Sequence, residues 1–210
     1  GIHRIRISSI EPNLLTDEII DFVSKSKSIL PHFHIPLQAG SDKILSLMKR
    51  RYGVELYKDR IAAVRSVMPD AGIGVDVIVG FPGESEVEFQ ETYDLIESLD
   101  ISYLHVFTYS ERPNTDAINM SGKVGMRDRK TRNKRLTQLS ERKNQSFALR
   151  QLNQSKQVLL ESSHDGVLTG MTENYLKVHI ANPSETLLNS IVAVELTGLQ
   201  NSKVLASISI

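Results

Sequence analysis

The 210-residue chain is 40% hydrophobic and 24% charged, the profile of a folded globular protein with room for one ordinary domain and a small one. Its 25 Lys and Arg balance 25 Asp and Glu, so net charge alone argues for neither a nucleic-acid nor a membrane partner. The absence of cysteine excludes disulfides, zinc fingers and a cysteine-ligated iron–sulfur cluster within this chain. No apolar run approaches the roughly 18 to 20 residues of a bilayer span and no signal-peptide pattern is present, so no membrane partner and a cytoplasmic location are expected.

Residues 2–7 already read as a strand behind Gly1, and the chain is expected to be cut from inside a longer protein. The first strand is placed at Arg4 to Ser9, with a helix starting near Thr16, whose hydroxyl suits an N-cap and whose Asp17 and Glu18 suit the positive helix start. A second strand at His32 to Leu37 ends in Gln38-Ala39-Gly40-Ser41, before a short helix through Ile44, Leu45 and Met48. Tyr57, Ile61, Val64 and Met68 recur at helical spacing up to Pro69. A third strand runs from Gly72 to Gly80. Ser85 and Glu88 then form a capping box for a helix buried through Phe89, Tyr93 and Ile96, and a fourth strand spans Tyr103 to Tyr109. Alternating strands and helices predict a parallel sheet built from βα units, an incomplete barrel at four strands.

From about Lys156 the pattern changes to five short β segments, near 157–161, 165–169, 175–180, 191–196 and 204–208, which predict a small closed or nearly closed β-barrel. Between the two parts, Lys123, Arg127, Arg129, Lys130, Arg132, Lys134, Arg135, Arg142, Lys143 and Arg150 face only Asp128 and Glu141. Such a stretch reads equally well as a solvated helix face or as a phosphate-binding segment. The expected division is 1–122 for the βα part, 123–154 for a basic helical connector and 155–210 for the β-barrel.

In parallel βα folds ligands lie beyond the carboxyl ends of the strands. Here those ends carry Ser8, Ser9 and Glu11; Gln38, Gly40 and Ser41; Gly80, Pro82, Gly83 and Glu84; and Thr108, Tyr109, Ser110 and Arg112. One shared site is the economical reading, although Gly80-Phe81-Pro82-Gly83 alone is also an ordinary tight turn. Arg6, His34, Asp76 and His105 lie within strands, where alternation turns them either into a lumen or into the core as satisfied polar groups.

Three blocks are more specific than any single residue: Arg6-Ile7-Ser8-Ser9-Ile10-Glu11-Pro12; His34-Ile35-Pro36-Leu37-Gln38-Ala39-Gly40-Ser41-Asp42 with Met48-Lys49-Arg50-Arg51-Tyr52; and Asp76-Val77-Ile78-Val79-Gly80-Phe81-Pro82-Gly83-Glu84. In order and spacing they resemble the radical S-adenosylmethionine methylthiotransferases, and His105 to Ser110 with Arg112-Pro113-Asn114-Thr115 resembles that family's last barrel strand and following loop. The Ser-Ser-Ile-Glu-Pro form is most similar to the branch that methylthiolates N6-threonylcarbamoyladenosine beside the tRNA anticodon. Gly170-Met171-Thr172-Glu173-Asn174-Tyr175 is similar to a block of the RNA-binding TRAM barrel, with Met171 where arginine is usual.

The resemblance implies strands three to six of a partial radical S-adenosylmethionine barrel followed by a TRAM-type barrel, an α/β plus all-β fold. It implies S-adenosylmethionine and two 4Fe-4S clusters in the whole parent enzyme, with no cluster, no metal ligand and no catalytic turnover in this chain, and tRNA as partner. By matched position it implies Gln38 and Ser41 for the cofactor's ribose and amino-acid portion, Arg50 or Arg51 for its carboxylate, Ile78 and Gly80 for the adenine face, and Phe107 and Thr108 for adenine through backbone groups. Glu11, Glu84, Tyr109 and Arg112 are expected to face substrate; Arg129, Lys130, Arg132, Arg135, Asn174 and Tyr175 are expected to meet RNA.

The β-barrel segment, with Lys156, Lys177 and Lys203 against Glu161, Asp165, Glu173, Glu185 and Glu195, is net acidic, so the basic connector is expected to supply most phosphate affinity. An unpaired sheet edge also predicts pairing between two copies of the chain. Rival readings are a cysteine-free RNA-binding module with a degenerate barrel, and an unrelated βα-barrel enzyme using Glu11, Asp76 and Glu84.

Overall fold

The computed structural model describes residues 2–181 and 184–209. Three parallel strands, β1 (His32–His34), β2 (Gly72–Val79) and β3 (Tyr103–Thr108), form one sheet in the order β1-β2-β3. Its register pairs His34 with Gly74 and Asp76 with His105. Along β2 the period-two alternation sorts the side chains. Ile73, Val75, Val77 and Val79 are fully buried in the main core, each contributing about 1.5–3 kcal/mol of apolar burial, whereas Gly74, Asp76 and Ile78 lie on the opposite face.

The helices on the apolar face follow their sequence signals. α1 (Asp17–Lys25) is capped by Thr16, whose hydroxyl accepts from the Ile19 amide, with Asp17 and Glu18 in its first turn. α2 (Asp42–Leu47) is short; α3 (Val54–Val67) buries Tyr57, Ile61 and Val64. α4 (Glu86–Ser98) begins with the expected capping box, in which the Glu88 carboxylate accepts from the Ser85 amide at 2.8 Å.

Two sequence expectations need correction here. Residues 4–9 do not form a regular strand: among the described residues their one bridge, Ile5 to Ile29, is isolated and lies ahead of β1, outside the sheet. Their arginines instead reach sideways, Arg4 to the Gln157 carbonyl at 2.8 Å and Arg6 to that of Thr172 at 3.4 Å. The regular strand ends at His34, yet the chain stays bonded to β2 beyond it: the Ile35 amide donates to the Gly74 carbonyl at 2.9 Å, and the Leu37 and Gln38 amides donate to that of Asp76 at 3.2 and 2.8 Å, with Pro36 at the alternate position where no N–H toward β2 is needed.

The basic segment is a helix, and one of its faces is buried. It forms α5 (Met126–Arg150), a 25-residue helix about 37 Å long. Leu136 and Leu139 enter the core under the sheet, and Phe147 and Ala148 enter that of the β-barrel. α5 also closes the outer edge of β3: the Ser140 hydroxyl bonds both the amide and the carbonyl of Leu104, and Asn133 donates to the Val106 carbonyl at 3.1 Å.

β4 (Ser155–His164), β5 (Val167–Thr172), β6 (Lys177–Ala181), β7 (Ile191–Gln200) and β8 (Lys203–Ile208) form a closed five-stranded barrel in the order β4-β5-β6-β8-β7. The turn between β5 and β6 docks against the start of β2. Asn174, 1% exposed, donates to the Asp70 carbonyl at 2.8 Å and to Gln151 at 2.9 Å, and its own carbonyl lies where any Cβ on Gly72 would stand, 2.1 Å away. No helix among the described residues is long and apolar enough to cross a membrane.

Candidate functional site

At the carboxyl ends of β2 and β3 a cavity of about 550 Å³ opens between the sheet, the turn after α2 and the segment following β3. Arg50, Ile78, Phe107, Thr108, Tyr109 and Arg112 line it, with Met48, Phe81 and Met120 supplying apolar wall. The topology brings them together: Ile78 and Phe107 are register partners on adjacent strands, and Arg50 is delivered where α2 ends and Lys49 turns left-handed at φ 56°.

Two polar atoms on this wall have no hydrogen-bond partner among the described residues, Arg50 Nε and the Tyr109 hydroxyl, although both are buried. Arg50 Nη1 donates to Glu11 at 3.2 Å, leaving the rest of its fork unengaged by carboxylate. Half-exposed Phe107 presents an aromatic face, and Tyr109 stands edge-on to Phe81 at 5.3 Å. A cation, an orphan N–H and an orphan hydroxyl beside aromatic and aliphatic surface suit a ligand combining an anionic group with a flat ring.

Other expected site residues fall elsewhere. Gln38, Ser41, Gly80 and Arg51 do not line the cavity. Ser41 is buried at the start of α2, Arg51 is exposed, and the aliphatic stem of Arg129 covers Gly80. Gln38 holds a left-handed φ of 70° at the strand end, a strained conformation for a residue other than glycine.

Glu11 engages Arg50. Glu84, expected to face substrate, is 3% exposed, and its carboxylate accepts from the Gly80 amide at 2.6 Å and from Arg132 at 2.7 Å. Burial raises its pKa above the usual carboxylate range, against the opposing pull of those two hydrogen bonds.

The arginines expected to meet RNA are largely consumed internally. Arg129 forks onto Glu111 at 2.6 and 3.2 Å and donates to the carbonyls of Val124 and Tyr109; that fork, as its largest cause, holds the Glu111 carboxyl at about 2. Arg132 is buried on Glu84, and Arg135 bonds Glu86 and Gln90 over the Phe89 and Tyr93 rings. Asn174 is a docking residue for the two parts of the molecule. Tyr175, at φ 69°, packs its ring on His32 at 4.4 Å and under Arg6 at 4.7 Å, and is 40% exposed.

Of the expected RNA contacts on α5, only Lys130 is exposed and without a side-chain partner among the described residues. The same holds for Arg127 and Lys134, which sequence reasoning had not selected. Spacings of three and four put these three cations on one helix face. The signal was present: Arg129 and Arg132 lie seven and four residues before the apolar Leu136 and so share its buried face.

Beyond that stripe, a groove of about 450 Å³ between α5 and the β-barrel is lined by Tyr103, His105, Asn144, Tyr175, Lys177 and His179 among others. His32, buried beneath it, is held near 3, first by burial and then by Arg6 and His34, so it is neutral and bonds the Tyr103 hydroxyl at 2.9 Å.

The Radical SAM superfamily profile matches residues 1–96. The chain is 38% identical over 201 residues to the threonylcarbamoyladenosine tRNA methylthiotransferase MtaB of Bacillus subtilis (strain 168), covering 93% of this chain and 44% of that protein. It is 39% identical over 178 residues to the protein of the same name from Aquifex aeolicus (strain VF5), covering 85% and 42%. It is also 37% identical over 207 residues to the tRNA-2-methylthio-N(6)-dimethylallyladenosine synthase of Clavibacter michiganensis subsp. michiganensis, covering 94% and 39%. The chain thus spans less than half the length of these relatives. Among solved structures, coproporphyrinogen III oxidase (HemN) from Escherichia coli, a radical SAM enzyme, superposes with a TM-score of 0.55 at 14% identity, over 93% of this chain and 44% of that one; this likeness is one of fold.

Proposed function

Because the chain belongs to the radical S-adenosylmethionine methylthiotransferase family, we propose that it forms the cofactor wall and RNA-holding part of a tRNA-modifying transferase. The reaction assigned to the whole enzyme is addition of a methylthio group to C2 of N6-threonylcarbamoyladenosine beside the anticodon. The cavity carries the reading, because its cation, orphan donors and aromatic face match what S-adenosylmethionine presents.

In this reading Arg50 holds the cofactor's carboxylate through its paired donors, Ile78 and Phe107 pack on adenine, and Thr108 bonds the base through its backbone. Tyr109 and Arg112 turn toward the substrate side of the same wall. S-adenosylmethionine supplies the hydrogen-abstracting radical once reduced; this chain's part is to bind, orient and keep water from it. The residues present do not fit an iron–sulfur cluster, since the chain contains no cysteine. The ligands of both 4Fe-4S clusters are therefore assigned to other parts of the parent, and the chain alone is proposed to be inactive.

For RNA, the exposed stripe Arg127, Lys130 and Lys134 leads along α5 into the groove beside Tyr175 and Lys177, and we assign tRNA backbone contacts there. The five-stranded barrel is read as a TRAM-type domain that positions this groove. A cytoplasmic site of action and pairing of two copies along the 4–9 flank complete the proposal.

Nucleoside mass spectrometry of tRNA from cells lacking the parent gene tests the function. The expected result is loss of the 2-methylthio form of N6-threonylcarbamoyladenosine with accumulation of its unmodified precursor. Loss of a methylthiolated dimethylallyladenosine instead moves the assignment to the other branch. An unchanged nucleoside profile rejects the transferase reading in favour of a binding module.

A further inference from the structure

One cluster outside the cavity wall is left unexplained by cofactor binding, and only its His105 borders the groove assigned to RNA. His34, Asp76 and His105 project from β1, β2 and β3 on the sheet face away from the helices, and their ligand atoms all lie within 4.8 Å of one another. Asp76 and His105 sit two residues before Ile78 and Phe107, about 6.6 Å below the cavity floor.

The hydrogen inventory of His34 is the decisive observation. Its Nδ1 lies 2.9 Å from the Ser8 carbonyl oxygen and its Nε2 lies 2.9 Å from Asp76 Oδ1. A carbonyl oxygen and an ionised carboxylate only accept. A neutral imidazole has one N–H, so it can satisfy one of the two and must point a lone pair at the other. The pair therefore calls for an additional positive particle between ring and carboxylate, a proton or a metal ion.

We propose that this position binds a divalent transition-metal ion such as Zn(II), Co(II) or Ni(II), ligated by His34 Nε2, the Asp76 carboxylate and His105. Three features favour the metal. The Nδ1 to backbone carbonyl contact is the outer hydrogen bond that fixes the tautomer of a metal-bound histidine. The 2.9 Å spacing of Nε2 and Oδ1 is close to the roughly 3.0 Å between neighbouring ligand atoms of an octahedral ion on bonds of about 2.1 Å, and would open to roughly 3.4 Å around a tetrahedral one. His105, exposed and edge-on to the rings of His34 at 5.8 Å and Tyr103 at 5.2 Å, has no hydrogen-bond partner among the described residues.

Two imidazoles and one carboxylate on neighbouring strands, open to one side, leave positions for an exchangeable ligand, as in non-haem metal sites of that donor set. Arg6, on the same flank, does not oppose the cation directly: its guanidinium is spent on the Thr172 and Glu173 carbonyls and over Tyr175.

The test is titration of the metal-free chain with Co(II), read by visible absorption and, for Zn(II), by calorimetry. With no cysteine in the chain, thiolate ligation cannot imitate the signal. The expectation is one equivalent bound in the micromolar range, weakened at least about tenfold by His105→Ala and by Asp76→Asn and unaffected by His164→Ala, which removes an exposed histidine paired only with Asp165. His105 is exposed, so its variant should fold, as circular dichroism will verify even if Asp76→Asn does not. No binding below about 100 µM, or equal affinity in His105→Ala, overturns the proposal and leaves the position to a proton. Neither outcome bears on the transferase assignment, which the tRNA nucleosides decide.

Discussion

At the scale of single residues, the most telling positions are carboxylates whose environments oppose each other. Glu84 and Glu88 are four residues apart and both largely withdrawn from solvent, yet burial raises the pKa of the first while hydrogen bonds from Lys43, foremost, and Ser85 bring the second down to about 2. The folded state thus prefers Glu88 ionised. Its contribution is present in full above the ordinary carboxylate value of 4.5 and is lost as pH falls from there through about 2. Thermal melts of the wild type and Glu88→Gln should differ most at pH 6 and converge by pH 2; a gap that stays constant across that range would remove the capping box from the acid response. Ser85 and Glu88 were legible as a local three-residue pattern, but Lys43, 45 residues away, was not.

At the scale of elements, α5 reverses the obvious reading of its own composition. A run so rich in arginine looks like a nucleic-acid surface, but helical phase divides it. The face shared with Leu136 and Leu139 carries buried Arg129 and Arg132, which tie the helix to Glu111 and to the glycine-rich turn at Glu84. Breaking a buried pair from one side leaves the other charge uncompensated. Arg132→Ala should therefore cost about 3 kcal/mol in urea unfolding, whereas Lys130→Ala should stay within about 0.5 kcal/mol.

The opposite face predicts the RNA response. Replacing Arg127, Lys130 and Lys134 together with Ala should weaken tRNA binding and reduce the slope of log affinity against log salt by about 2 to 3, with the melting temperature unchanged. If that slope is the same as wild type, the stripe has no part in phosphate contact.

At the scale of the whole molecule, the sheet and the β-barrel are joined by one long helix and one buried turn. Gly72 matters here for the absence of a side chain, since an added Cβ would meet the Asn174 carbonyl at 2.1 Å and the His32 ring at 3.1 Å. Gly72→Ala should push the turn away, break the Asn174 bonds to Asp70 and Gln151, and convert a single calorimetric unfolding transition into two. A single transition at the wild-type temperature would mean that the docking is looser than these distances imply.

The sequence by itself determined what depends on short range: strand alternation in β2, the caps at Thr16 and Ser85, the change from βα units to five short strands, and the absence of any cysteine to hold a cluster. Those features are set by neighbours within a few residues, so their periods and spacings are readable from the chain. Only the tertiary structure decided which charges are free. Glu84 and Arg132 are 48 residues apart, and Asn174 and Asp70 are 104 apart; Glu84, Arg132 and Asn174 were each expected to meet a ligand, and folding gave each an internal partner. His34, Asp76 and His105 show the converse. Each was ambiguous alone on its own strand; parallel register made Asp76 and His105 direct partners and set His34 diagonally beside them, opposite Gly74, because the ladder of backbone bonds fixes which residues of distant strands stand next to one another.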